Sequence, residues 1–285
     1  MKLYLTNQIR YNIFRLGKRT PPRISPPTFH NLNICYCDLN SKDCRFSPTE
    51  YLYSLANMTS PINDPPETKA TVLISGEGSN LQALIDATTT TMPYLKIIRV
   101  ISNKSAANGL NRAKKASIPT AYHNLISGKY LASGEKDPAV RKAGREKYDA
   151  DLAKLILKDE PDLVICAGWM HILSPEFLNP LEKKNLPVIN LHPALPGKYD
   201  GAGAIGRAYQ DFKDGKLEND TTGIMIHYVI SEVDRGTPIV IRQVKVEQGE
   251  TLEDLETKIH GHEHQLILEG TAMAIHNIWE DRRKD

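Results

Sequence analysis

The stretch PDLVICAG, Pro161–Gly168, decides the fold. Leu163 to Ala167 run without a polar break between a proline and a glycine. A half-exposed strand alternates apolar and polar residues, whereas a short unbroken run suits a strand buried on both faces, the kind found in parallel sheets. Segments of the same type recur on either side. ATVLIS (Ala70–Ser75), LKIIRVIS (Leu95–Ser102), PTAYHNL (Pro119–Leu125) and LPVINLH (Leu186–His192) read as strands. Helical spacing separates them: SNLQALIDAT sets Leu81, Leu84 and Ile85 on one face, GLNRAKKA follows the second strand, and REKYDADLAKLILKD runs up to Pro161. After a further loop and helix, TGIMIHYVI (Thr222–Ile230) and TPIVIRQVKV (Thr237–Val246) read as a strand pair, and Thr251–Glu280 closes as a helix. The alternation predicts an α/β protein with a Rossmann-like open sheet, parallel in its N-terminal part and mixed towards its C-terminal part, with helices on both faces.

Composition limits the function classes. The chain has 285 residues, 25% charged and 40% apolar, which is ordinary for a globular protein. A net charge of +2 without a long basic block argues against nucleic acid as a partner. No apolar run approaches the roughly 20 residues that span a bilayer, so no membrane partner is expected. Four cysteines are too few for a disulfide scaffold. Cys35, Cys37 and Cys44, with only His30 nearby, lack a zinc spacing and read as free thiols, and Cys166 reads as a small apolar core residue.

Residues 1–68 differ from the rest. Eight of the 18 prolines fall between Pro21 and Pro66, and Met1–Cys37 has no acidic residue beside Lys2, Arg10, Arg15, Lys18, Arg19 and Arg23. The segment reads as a disordered extension, or as a transit-like tail, with Met58 as an alternative start. A cytoplasmic location is expected, or an organellar one if residues 1–37 act as a transit peptide. The folded domain is expected over residues 69–285.

Two stretches carry chemistry. ISGEGSNLQ, Ile74–Gln82, joins the first strand to the first helix. Gly76 and Gly78 let a backbone approach a ligand, Ser79 can cap the helix, and the free N–H groups of a helix start favour phosphate. Leu81 stands at the third glycine of the dinucleotide fingerprint, and the next strand ends in SNK instead of an acidic ribose ligand, so a monophosphate fits better than NAD. A plain tight turn remains the alternative. VINLHPALPGKYDG, Val188–Gly201, sets Asn190 and His192 two apart on a strand, hence on one side of it. An amide and an imidazole there can stabilise one developing oxyanion, and an aspartate such as Asp234 in SEVDRG would raise the histidine pKa if the fold brought it near. A core histidine beside a capping asparagine, and a turn-forming aspartate, are the alternatives.

VLISGEGSNLQALIDA, SNKSAANGLNRA, PDLVICAGWMHILSPEFL, INLHPALPGKYDG, GIMIHYVISEVDRGTPI and IHGHEHQLI occur in one order. That set resembles the phosphoribosylglycinamide formyltransferases, in their short fungal form, over about residues 69–280. The resemblance implies the formyltransferase fold and transfer of a formyl group from 10-formyltetrahydrofolate, a co-substrate, to glycinamide ribonucleotide in purine synthesis, without a metal. It implies Asn190, His192 and Asp234 as catalytic residues. Gly78, Ser79 and Asn80 would hold the substrate phosphate, with Glu263 and His260 at the ribose. Trp169, Met170, His171, Ile172, Leu173, Val188, Val229 and Arg145 would line the folate site. His171 and His260 stand where relatives often carry arginine and glutamine. Small-molecule substrates and a monomer or weak homodimer are expected. Formyltetrahydrofolate hydrolase and a non-catalytic phosphate-ligand binding module are the rival readings. The first conflicts with the aperiodic N-terminal segment, the second with the intact Asn190, His192 and Asp234.

Overall fold

Leu163–Cys166 is completely buried, as its unbroken apolar run requires, and forms the fifth of eight strands in one sheet. The structure is a computed structural model that describes residues 35–37 and 66–284. The strands are β1 (Cys35–Cys37), β2 (Thr68–Ile74), β3 (Leu95–Ser102), β4 (Thr120–Tyr122), β5 (Leu163–Cys166), β6 (Val188–His192), β7 (Thr221–Tyr228) and β8 (Pro238–Lys245). Their spatial order is β1-β8-β7-β6-β5-β2-β3-β4. Pairing is parallel from β4 across to β6, and antiparallel for β6–β7 and β7–β8. This is the expected sheet, parallel early and mixed late. Most of the proline-rich N-terminal segment, with Met58, Cys44 and His30, lies outside the described residues.

The helices are α1 (Ser79–Thr88), α2 (Asn108–Lys115), α3 (Pro138–Leu157), α4 (Pro175–Glu182), α5 (Ala204–Lys213) and α6 (Leu252–Arg282). Adjacent strand residues serve opposite layers. Val72 and Ile74 pack with Leu81, Leu84, Phe212 and Leu266 of α1, α5 and α6, whereas Leu73 and Val164 pack with Tyr148, Leu152 and Phe177 of α3 and α4. Both sheet faces are thus covered, and each fully buried Leu or Ile contributes about 1.5–3 kcal/mol.

One helix boundary and one whole helix depart from the sequence reading. Helix α3 starts at Pro138, ahead of REKYD, because the Asp137 carboxylate accepts from the Ala139 and Val140 N–H groups and Pro138 fits the first turn. Helix α4, in SPEFLNPLE, is short and carries Pro180 inside it, which masked its helical pattern. The long α6 opens with a Thr251/Asp254 capping box. It lies so close to β7 that a Cβ at Gly270 would stand 2.6 Å from Ile226.

Candidate active site

The carboxyl ends of β2, β5 and β6 lie side by side, and strand order reverses at β2, since β3 and β5 flank it. Ligands of open α/β sheets bind at such a reversal. The glycine loop after β2, Gly168 after β5 and His192 at the end of β6 all emerge there.

Gly78 has φ 73 and is itself the N-cap of α1. Ser79 is the first helical residue and makes no capping bond, so the cap expected of it is absent: the left-handed glycine starts the helix instead. A Cβ at Gly78 would meet the Gly109 Cα at 2.6 Å, so loop and α2 touch through two glycines. The first intrahelical bond runs from the Gln82 N–H to the Gly78 carbonyl, 2.9 Å, which leaves the N–H groups of Ser79, Asn80 and Leu81 without helical partners. Asn80 is buried, its Nδ2 donating to Glu263 Oε2 at 2.8 Å and its Oδ1 unpartnered. That bond joins the glycine loop to α6, where the exposed His260 lies 3.8 Å from Glu263. Outside the loop, Arg112 donates to the Glu77 carbonyl and carboxylate. Asn108 and Arg112 hold the Glu77 carboxyl below its ordinary value.

Asn190 and His192 are joined by Asp234 from the loop after β7. Its Oδ2 lies 3.4 Å from His192 Nδ1, and its Oδ1 lies 3.5 Å from His227 Nε2. The Gly201 N–H donates to Oδ2 at 2.7 Å. Burial pushes the Asp234 carboxyl up, yet His227, the Gly201 N–H and His192 together bring it below the ordinary carboxylate value. For His192 burial is the larger influence. It lowers the imidazole below its ordinary value although Asp234 and the nearby Lys198 carbonyl favour the charged form. The resting ring is therefore neutral near pH 7, not the imidazolium that an adjacent aspartate suggests on sequence grounds. Nε2 of His192 has no hydrogen-bond partner.

His227 was not singled out from the sequence; the antiparallel register pairs it with Asn190. Its Nδ1 lies 2.9 Å from the Tyr228 carbonyl, and its Nε2 lies 3.3 Å from Asn190 Nδ2 and 3.5 Å from Asp234 Oδ1. The second Asn190 N–H stays free to donate elsewhere. Only the register of β6 against β7 sets a histidine opposite Asn190, and no signal in either strand alone marks it.

The residues expected at a folate site divide between buried and exposed. Trp169, Leu173 and Val188 are buried in the α3–α4 layer with Val229 against them, while Met170 and Ile172 are 70% and 64% exposed. The Met170 N–H is held by the Ser75 hydroxyl at the end of β2, 2.9 Å. Arg145 is no free surface arginine: it donates to the Ile172 carbonyl at 2.7 Å, reaches His171 Nδ1 at 2.5 Å and pairs with the buried Asp149. Burial, then Arg145 and Lys104, lower His171 to about 4, so its ring accepts from Arg145 and is neutral over the physiological range.

The sequence profile of the family described as "Formyl transferase" matches residues 68–271. Phosphoribosylglycinamide formyltransferase of Schizosaccharomyces pombe is 48% identical over 214 residues, 74% of this chain and 97% of that relative. The Saccharomyces cerevisiae protein of the same name is 44% identical, over 73% of this chain and 97% of its own length. Among solved structures, phosphoribosylglycinamide formyltransferase from Anaplasma phagocytophilum superposes with a TM-score of 0.59 at 31% identity, covering 74% of this chain and 87% of that one. The matched span begins with β2, takes in the glycine loop, Asn190, His192 and Asp234, and ends within α6, and by it the chain belongs to the formyl transferase family, among the phosphoribosylglycinamide formyltransferases.

Proposed function

We propose that the chain transfers the formyl group of 10-formyltetrahydrofolate to the amine of 5'-phosphoribosylglycinamide in purine synthesis, with Asn190, His192 and Asp234 as its catalytic residues. The observation that carries this reading is the contact of Asp234 with His192 at the sheet edge that also holds the α1 N-terminus. The free N–H groups after Gly78 suit a substrate phosphate, and Glu263 and His260 suit ribose hydroxyls. The exposed Met170 and Ile172, with Val229, offer an apolar edge for the folate, and the Arg145–His171 pair bounds it.

The amine nitrogen attacks the formyl carbon, gaining positive charge while the formyl oxygen becomes negative. The free Asn190 N–H and His192 Nε2 face that oxyanion, and its charge draws a proton onto a ring that is neutral at rest. Asp234 then holds an imidazolium on Nδ1. The proton the ring takes is the one the attacking nitrogen sheds, and it passes on to N10 as the carbon–N10 bond breaks, so the ring ends neutral and the products are formylated amine and tetrahydrofolate. Neither a covalent intermediate nor an external base is required.

Folate absorbance reads the reaction directly. Turnover that requires both 10-formyltetrahydrofolate and the ribonucleotide is expected; folate turnover indifferent to the ribonucleotide would indicate hydrolysis instead. A cytoplasmic seat belongs to the same proposal, and imaging the full chain beside a form begun at Met58 tests it.

A further inference from the structure

The loop between β6 and α5 has an unusual backbone. Gly197, Tyr199, Gly201 and Gly203 have φ of 75°, 53°, 78° and 69°, and Asp234, which faces the loop, has 55°. For a bulky residue such as Tyr199 the left-handed region is disfavoured, so this shape persists only if its surroundings hold it. Two arginines outside the catalytic trio do so. One guanidinium nitrogen of Arg207, on α5, donates to the carbonyls of Tyr199 and Asp200 at 2.7 Å each and of Ala202 at 3.0 Å. The loop is curled around a single cation whose central carbon lies over the Tyr199 ring, 5.9 Å from its centre. The Tyr199 hydroxyl in turn donates to Asp211 Oδ2 of α5 at 2.8 Å. From the other side, Arg235 Nε donates to Asp200 Oδ2 at 2.7 Å, and its guanidinium lies against Gly197.

Gly201 therefore sits between two residues whose carbonyls are gathered by Arg207, and Asp234 precedes the residue that grips Asp200. The bond that results is the 2.7 Å donation from the Gly201 N–H to Asp234 Oδ2. We infer that Arg207 and the Asp200–Arg235 pair are positioning residues for formyl transfer, bracing the loop so that the Gly201 N–H fixes the Asp234 carboxylate against His192. The inference rests on the reading of Asp234 as a catalytic carboxylate. Titratable and charged groups facing that carboxylate are His192 of β6, His227 of β7 and the Asp200–Arg235 pair in the adjoining loops.

The test uses the full chain and steady-state kinetics across pH. Misplacing a reacting group by about 1 Å can cost on the order of 100-fold in rate. Arg207→Gln is expected to lower kcat by roughly 10- to 100-fold on that scale, with KM for the ribonucleotide little changed. Its acid limb should move to higher pH, because Asp234 loses a donor that favours its charged form. Arg207→Lys, which keeps the cation, should recover part of the rate. Asp200→Asn and Arg235→Gln should each lower kcat, and the double variant should be no slower than the slower single one. Arg207 is exposed, and thermal melts equal to the parent's will separate positioning from unfolding. The control is Asp234→Asn. If that variant turns over at the parental rate, the catalytic reading itself falls. If it is inactive while Arg207→Gln keeps the parental kcat and acid limb, the bracing role alone is overturned.

Discussion

Asp234 Oδ2 stands 3.4 Å from His192 Nδ1, across a gap of 42 residues in the chain. The carboxylate has a second imidazole at His227 and a backbone donor at Gly201, so it stays ionised in a site that strips His192 of its charge. Asp234→Asn keeps the shape and removes the anion. Turnover is expected to fall by about 10²–10⁴, the usual range for a positioned acid–base group, with KM for the ribonucleotide nearly unchanged. The His192 ring, deprived of its carboxylate, should titrate still lower in a histidine-resolved NMR experiment. An unchanged His192 titration in the variant would contradict the contact.

Burial lowers the pKa of His123, His171, His192, His262 and His276. A histidine held neutral in the fold binds fewer protons than it does unfolded. Stability from these groups is therefore complete above about pH 6.5, the unfolded value, and is lost as pH falls towards each folded value. For His171 that window runs down to about 4. Thermal midpoints should decline steadily from pH 7 to pH 4.5, before most carboxylates are protonated. His171→Gln, which keeps an acceptor for Arg145, should flatten the lower part of that decline. A midpoint constant over the whole range would contradict the neutral, buried histidines.

The sheet was legible because β2, β3, β5 and β6 are apolar on both faces, and a run such as LVIC permits no other burial. Helix α4 was not, since Pro175 and Pro180 within eight residues disguise a helix whose Phe177 and Leu181 nevertheless fill the core. Asn190 and His192 could be read from their spacing on a strand. His227 could not, because only the β6–β7 register sets it opposite Asn190. The direction of the His192 shift is hidden for a related reason: a sequence shows a neighbouring aspartate more readily than the burial that outweighs it. For Trp169 to Leu173 the alternation of buried and exposed side chains could not be read, because the exposed Met170 and Ile172 are as apolar as the buried Trp169 and Leu173.

Gly78→Ala tests the proposal that the glycine loop holds the substrate phosphate. An added Cβ would stand 2.6 Å from the Gly109 Cα, a backbone atom that cannot swing away, and φ 73 adds strain for any L side chain. Overpacking of this kind costs about 1–3 kcal/mol. Loop and α2 must separate, which moves the free N–H groups of α1. KM for the ribonucleotide should rise about tenfold or more, equivalent to about 1.4 kcal/mol of lost binding, while KM for the folate changes little. Inorganic phosphate should also lose its competition with the ribonucleotide. Equal effects on both substrates would point to general unfolding instead.

Arg242 of β8 and Glu269 of α6 form an ion pair with 5% exposure on each side chain, both carboxylate oxygens lying 3.0 Å from one guanidinium nitrogen. Gln265 completes the group, accepting from Arg242 and donating to Glu269, but Arg242 Nε has no partner. Removing one member leaves a buried charge uncompensated, and Glu269→Gln or Arg242→Met should cost about 3–5 kcal/mol in urea unfolding. Replacing both, as Arg242→Met with Glu269→Leu, should cost far less, because desolvation of an imperfectly satisfied pair offsets most of its attraction. The pair ties β8 to the helix that carries Glu263 to Asn80. If its use is to set where α6 rests on the sheet, the stable double variant will still bind the ribonucleotide more weakly than the parent. A double variant with parental stability and parental KM would mean that apolar packing, such as that of Gly270 on Ile226, sets the helix alone.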